Sequence, residues 1–245
     1  LGFAQLNPTY KNLNNIIMRD FLGTTQLWRG LPDEQLDAIS QIAIEHHYLK
    51  NELIFMEGDR GTGFFVVKSG RVKIFKTSAE GKEQILQIFS TGEHFAEVPA
   101  FDGECFPASA LALETTELLF FPRQEFLELL QKHPQISINM LTIFARHLRK
   151  FARLIEDLSL KEVPSRLAAY LLYLSEKRQG ELDNTNNDEI ELDITKGQLA
   201  AVLGTIPETL SRVFAKLSQE GLIMIDGSRI TLLNKTRLNL LAGNR

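Results

Sequence analysis

The chain has 245 residues, enough for two small domains, and its 44% apolar and 24% charged content is that of a soluble globular protein. No apolar run is long enough to span a membrane, and a single cysteine, Cys105, excludes an internal disulfide framework and any four-cysteine zinc or iron–sulfur site, so a cytoplasmic protein without a membrane partner is expected. The net charge of −4 argues at first against nucleic acid, but from Thr195 onward seven basic residues (Lys196, Arg212, Lys216, Arg229, Lys235, Arg237, Arg245) stand against Glu208, Glu220 and Asp226, which leaves this end at +4 and the preceding residues at −8. A basic end on an acidic body suits a phosphate-tracking module attached to a domain with another task, although chance asymmetry would look the same.

Residues 1–27 read as polar and irregular. A short helix is expected from Leu31, with Pro32 in its first turn and Leu31, Leu36 and Ile39 on one side. From about Glu52 to Phe121, turn residues such as Gly58-Asp59, Ser69-Gly70 and Glu80-Gly81 punctuate short apolar runs, among them Phe64–Val67, Val72–Phe75 and Ile85–Phe89. That rhythm predicts a small all-β barrel or roll closed by Leu118–Phe121.

A long helix is expected after Pro134. Its apolar residues Leu141, Phe144, Leu148, Phe151, Ile155 and Leu158 follow a 3-4-3-4-3 spacing, while Arg146, Arg149, Lys150, Arg153 and Glu156 mark the other face. Such a stripe suits either a parallel dimer seam or an amphipathic helix packed on its own domain; a homodimer would present two reading heads to a palindromic site. A second helix is expected over Pro164–Lys177, with Leu167, Tyr170, Leu171 and Leu174 on one face, followed by a polar, acidic, turn-forming loop at 180–193.

Thr195 is a good N-cap for a short helix at Lys196–Leu203, and Gly204 supplies a tight turn. A second helix opens with Pro207 and carries Leu210, Val213, Phe214 and Leu217 as its buried stripe. That leaves Glu208, Ser211 and Arg212 together on the exposed N-terminal face. Gly221 ends it, and Ile223–Thr231 reads as a hairpin turning at Asp226-Gly227. Two helices, a glycine turn and a hairpin compose a winged helix-turn-helix. On that frame the DNA contacts fall on Glu208, Thr209, Ser211, Arg212, Lys216 and Arg229: arginine can fork onto guanine, a carboxylate can accept from a base amino group, and Lys216 and Arg229 suit phosphates. The same surface residues would also serve as an ordinary solvated helix face.

From about Leu31 to the end the chain resembles the CRP/FNR family of regulators. The resemblance rests on Gly58-Asp59, Phe64-Phe65, Ser69–Lys73, Phe95-Ala-Glu97 and Pro207-Glu-Thr-Leu-Ser-Arg212, in order and spacing. It implies an α+β protein with a cyclic-nucleotide-binding-like β-roll over 1–133, a dimerisation helix over 134–160 and a winged helix-turn-helix over 161–245. It further implies a TTGA-like inverted repeat in double-stranded DNA and a contact with RNA polymerase. The family's nucleotide cassette has a ribose glutamate and a phosphate arginine; here Glu97 is kept, but Pro107-Ala108 stand at the phosphate pair, so cyclic AMP is not expected. An iron–sulfur cluster is excluded by the cysteine count.

What is expected instead is a more apolar effector pocket between roll and long helix, lined by Phe95, Glu97, Phe101, Leu141, Phe144, Leu148 and Phe151. Phe95–Glu97, Asp157–Lys161 and the Pro207-Glu-Thr helix are similar to the branch of dissimilatory nitrate respiration and hybrid-cluster-protein regulators, which implies nitric oxide sensing through haem; the alternative is the same fold sensing another small organic effector that is not cyclic AMP. Any such haem would be non-covalent, because no C-x-x-C-H motif is present; the candidate axial ligands are His46, His94, His147 and Met140. His46 reads as a helix end and His94 as a turn. Nothing in the chain carries a nucleophile elbow, a P-loop or a Rossmann fingerprint, so no enzyme is expected, and a purely structural DNA-bending protein would not need the roll.

Overall fold

The structure, a computed structural model, describes residues 8–179 and 188–243; most of the acidic loop expected at 180–193, and Arg245, lie outside the described residues. Two units divide the chain, 1–147 and 148–245, and the division falls inside the long helix.

In the first unit the described residues begin with two helices, α1 (Pro8–Thr24) and α2 (Asp33–Ile42). The stretch read as irregular is thus largely helical: Leu22 packs into a core with Leu27, Trp28, Leu31, Leu36 and Ile39. Pro32 is the extended N-cap of α2 rather than part of its first turn.

Two four-stranded antiparallel sheets follow. One has the order β1 (Ile44–Tyr48), β8 (Thr116–Pro122), β3 (Gly63–Ser69), β6 (His94–Phe95); the other runs β2 (Leu53–Phe55), β7 (Ser109–Ala112), β4 (Arg71–Thr77), β5 (Glu83–Ser90). The β region therefore begins at Ile44, earlier than expected. His46 lies in β1, paired with Leu118, and His94 lies in β6, so neither occupies the helix end or turn anticipated for it.

The strand period of two explains the burial of β3 on both faces. Phe65 and Val67 point into the roll, where they meet Phe55, Val72, Phe89, Phe95, Phe106 and Leu118. Each buried phenylalanine stabilises the roll by about 1.5–3 kcal/mol. Phe64 and Val66 point the other way, beneath a helical layer holding Trp28, Phe126, Ile136, Met140 and Ile143. Trp28 meets Phe121 at a centroid distance of 5.8 Å and Phe126 edge-on at 6.2 Å. The β3–β4 turn needs Gly70, with φ of 85°, where a Cβ would come within 2.5 Å of Thr116 Oγ1.

Between β6 and β7 stands a short helix, α3 (Val98–Asp102); after β8 come α4 (Arg123–Lys132) and the 27-residue α5 (Pro134–Leu160). The first half of α5 belongs to the core of this unit, through Ile136, Met140 and Ile143. Its second half begins the other unit.

That second unit contains α6 (Val163–Gln179), β9 (Glu189–Glu191), α7 (Lys196–Val202), α8 (Pro207–Gln219), β10 (Ile223–Asp226), β11 (Arg229–Leu232) and α9 (Lys235–Ala242). The hairpin turns at Asp226-Gly227 as expected, and β9 adds a third strand beside β11 from a stretch read as loop. Ile190 explains it: this one apolar residue between glutamates is buried opposite Ile230. Helix α9, not anticipated, packs against α6 and buries Leu238 and Ala242.

Candidate nucleic-acid interface and effector site

The segment expected to read DNA is built as its residue types dictate. Thr195 and Gln198 form a reciprocal capping box: the Gln198 backbone amide donates to Thr195 Oγ1 at 3.2 Å, and the Thr195 amide donates to Gln198 Oε1 at 2.9 Å. Gly204, with φ of 64°, turns the chain between α7 and α8. Pro207 takes the first position of α8 after an extended Ile206.

Leu210, Val213, Phe214 and Leu217 are buried and seat α8 in the unit. The opposite side leaves Glu208, Ser211, Arg212 and Lys216 exposed, with Thr209 half-buried. Among the described residues, the contact that holds Arg212 is its Nε donating to the Glu208 carbonyl at the long distance of 3.5 Å. Arg229 lies on the wing and faces Glu189 of β9 at 3.8 Å, an exposed pair that phosphate could displace at little cost.

On α5 the residues of the heptad stripe separate into two rows. Leu141, Leu148 and Ile155, seven apart, are 65%, 69% and 65% exposed. In the other row Phe151 is also exposed, Leu158 is half-buried, and Phe144 rests edge-on against Phe101 at 5.4 Å.

The residues expected to line one effector pocket do not come together within the first unit. Phe95 faces the roll interior, stacked on Phe65 at 5.3 Å, because β6 pairs with β3 at that position. Phe101 lies at the end of α3 and joins Phe126 and Phe144 on the helical side. Leu141 is exposed, and Leu148 and Phe151 belong to the second unit.

The structure instead gathers a polar cluster whose members were named singly but not as a group. His94 and Glu97 are 3% and 6% exposed, and His94 Nε2 lies 3.0 Å from Glu97 Oε1, although neither atom gains a well-aligned hydrogen bond. The His147 ring of α5 stacks on His94 at 5.7 Å. Burial pushes the Glu97 carboxyl up, but the His94 imidazole, the Glu97 backbone amide and the charge of His147 outweigh it, so the net displacement is downward. Ala96, which turns the chain into this cluster, has φ of 66°, an uncommon conformation for a residue with a Cβ. His94 and Glu97 could have been paired by their spacing in sequence; the arrival of His147 depends on where α5 packs.

For a haem, the candidate ligands differ in fit. Met140 is closed into the helical core at 1% exposure, His94 is turned to Glu97, and His46, half-buried in β1, packs edge-on against Phe120 at 5.6 Å. His147 is half-exposed and stands on a helix beside the buried polar cluster. Among the described residues, no group of three or more His, Cys, Asp or Glu side chains is arranged to hold a metal ion.

Residues 45–133 match the cyclic nucleotide-binding domain family, and residues 165–241 match the Crp-like helix-turn-helix domain family. The cyclic AMP receptor protein of Thermus thermophilus is 34% identical over 199 residues, covering 81% of this chain and 88% of that protein. The chain belongs to the CRP/FNR family of transcription regulators. A second CRP/FNR relative, the transcriptional activator protein anr of Pseudomonas aeruginosa, is 30% identical over 217 residues, 88% of each chain. The solved structure of FixK2 from Bradyrhizobium japonicum shares the fold, with a TM-score of 0.69 at 23% identity over 82% of this chain and 97% of that one. As a CRP/FNR protein the chain is a DNA-binding regulator with an effector-binding domain, not an enzyme. Among the described residues, no helix is long and apolar enough to cross a membrane.

Proposed function

We propose that this regulator works as a homodimer joined along α5 and reads a TTGA-like inverted repeat with α8. The observation that carries the reading is α8 itself: four buried apolar residues seat it, while Glu208, Ser211 and Arg212 stand exposed on its N-terminal face. Anions favour the N-terminal end of a helix, so phosphates flanking the bases would reinforce that docking. The exposed row Leu141, Leu148 and Ile155 supports a two-fold seam that places two such heads on one duplex. Action in the cytoplasm, through contact with RNA polymerase, follows from this reading. Selection of bound duplexes from a random pool tests it. An inverted repeat with half-sites about one helical turn apart (~34 Å) is expected; a selected pool without two-fold symmetry would overturn it.

Control by a small effector other than cyclic AMP completes the proposal. Glu97, the residue that would hold a ribose, faces His94, and Pro107 and Ala108 offer no cation for a cyclic phosphate. A second reading, nitric oxide sensing through non-covalent haem, is favoured by one observation, the half-exposed imidazole of His147 beside His94. His147 would hold the iron, and the haem would supply a metal centre able to bind nitric oxide. Added haemin should then give a Soret band that moves with nitric oxide and is lost in His147→Ala. An unchanged band in that variant would remove the assignment.

A further inference from the structure

The link between α5 and α6 is only two residues long, Lys161 and Glu162, and one side chain spans it. Arg166, in the first turn of α6, donates through Nη1 to the carbonyl of Lys161 at 2.9 Å, and at longer range to those of Leu158 at 3.3 Å and Asp157 at 3.4 Å. These carbonyls close the end of α5, where a helix runs out of its own amide donors. A guanidinium there also meets the negative end of the helix dipole. The same turn is tightened by Lys161 Nζ on Asp157 Oδ1 at 2.8 Å. Meanwhile the Arg166 backbone amide donates to the Glu162 carbonyl at 3.0 Å and so begins the ladder of α6. One residue is therefore fixed in α6 by its backbone and to α5 by its side chain.

We propose that Arg166 is a positioning residue for DNA reading, setting which spacing between half-sites the protein accepts. The inference rests on the dimeric reading above. Helix α6 packs against α8 and α9, so the angle at its junction with α5 carries through to the reading face. Spacing is a sharp test of that angle: one extra base pair moves a half-site by about 3.4 Å and turns it by about 35°. A lysine replaces the guanidinium here only in part, since it keeps the charge but has no planar fork with which to share several carbonyls.

The full-length protein is assayed by sedimentation, then by fluorescence anisotropy on four duplexes: the selected repeat, the repeat with one base pair added or removed between half-sites, and a single half-site. Arg166→Ala is expected to stay dimeric and to bind the single half-site as the wild type does. Its discrimination against the altered spacings should fall about tenfold, the factor expected from losing a charge-assisted hydrogen-bond set. Arg166→Lys should fall between the two. Unchanged spacing discrimination in Arg166→Ala would overturn the proposal. So would equal weakening on the half-site and on every spacing in both variants, which would make Arg166 a mere prop of the fold. A monomeric wild type would instead strike down the dimeric reading, and sedimentation reveals that before DNA is added.

Discussion

Replacing Arg212 by alanine separates reading from folding. The side chain is exposed and, among the described residues, is held by the long 3.5 Å contact to the Glu208 carbonyl, while α8 is seated by Leu210, Val213, Phe214 and Leu217 on its other side. Folding stability should therefore stay within about 0.5 kcal/mol of the wild type, as for other surface substitutions away from special features. On DNA the consequence is large. A bidentate arginine–guanine contact is worth ~1–3 kcal/mol, so two half-sites lose ~2–6 kcal/mol, a weakening of roughly 30-fold to 10⁴-fold. Anisotropy titrations against the selected repeat, at several salt concentrations, measure this. Reading of a guanine predicts a salt slope close to wild type and a relaxed base preference at one position per half-site. A phosphate role predicts the reverse: the slope shrinks by about 0.9 for each phosphate no longer neutralised, and the base preference stays intact. If Arg212→Ala keeps both the affinity and the selected sequence, the recognition face of α8 has been placed on the wrong residues.

Three further outcomes are expected. Leu148→Asp puts a carboxylate in the exposed row of α5, and sedimentation should show a monomer, because an unpaired charge buried in a seam costs several kcal/mol; a dimer of unchanged affinity would refute the seam. Glu97 has a carboxyl held below its ordinary value of 4.5, so its contribution to stability is present above that pH and is lost as the pH falls through the lower native value. Thermal melts of Glu97→Gln should lack that part of the acid loss, and parallel acid limbs in variant and wild type would contradict it. Cyclic AMP, titrated to millimolar concentrations, should leave operator affinity unchanged, and a large gain at micromolar nucleotide would reverse the argument from Pro107 and Ala108.

Local rules made the DNA-reading module legible in sequence. A capping threonine, a glycine turn, a proline at a helix start and an apolar stripe of period 3.6 each act within a few residues, and all reappear at Thr195, Gly204, Pro207 and Leu210–Leu217. The roll was legible for the same reason, from turns between short apolar runs. Helix α1 and strand β9 were not, because neither has a strong pattern of its own: β9 exists through its pairing with β11, and α1 contributes Leu22 to a core assembled by other elements. The effector residues show the limit most clearly. Whether Phe95 faces a pocket or the roll interior depends on its register opposite Phe65, and the meeting of His94, Glu97 and His147 depends on α5 bringing His147 to His94, which stands 53 residues earlier in the chain. Sequence determined the segments with a strong pattern of their own and the faces these bury, since those follow from contacts a turn or a strand pair apart. Tertiary packing alone decided which distant polar groups share one buried space, because that depends on the placement of whole elements.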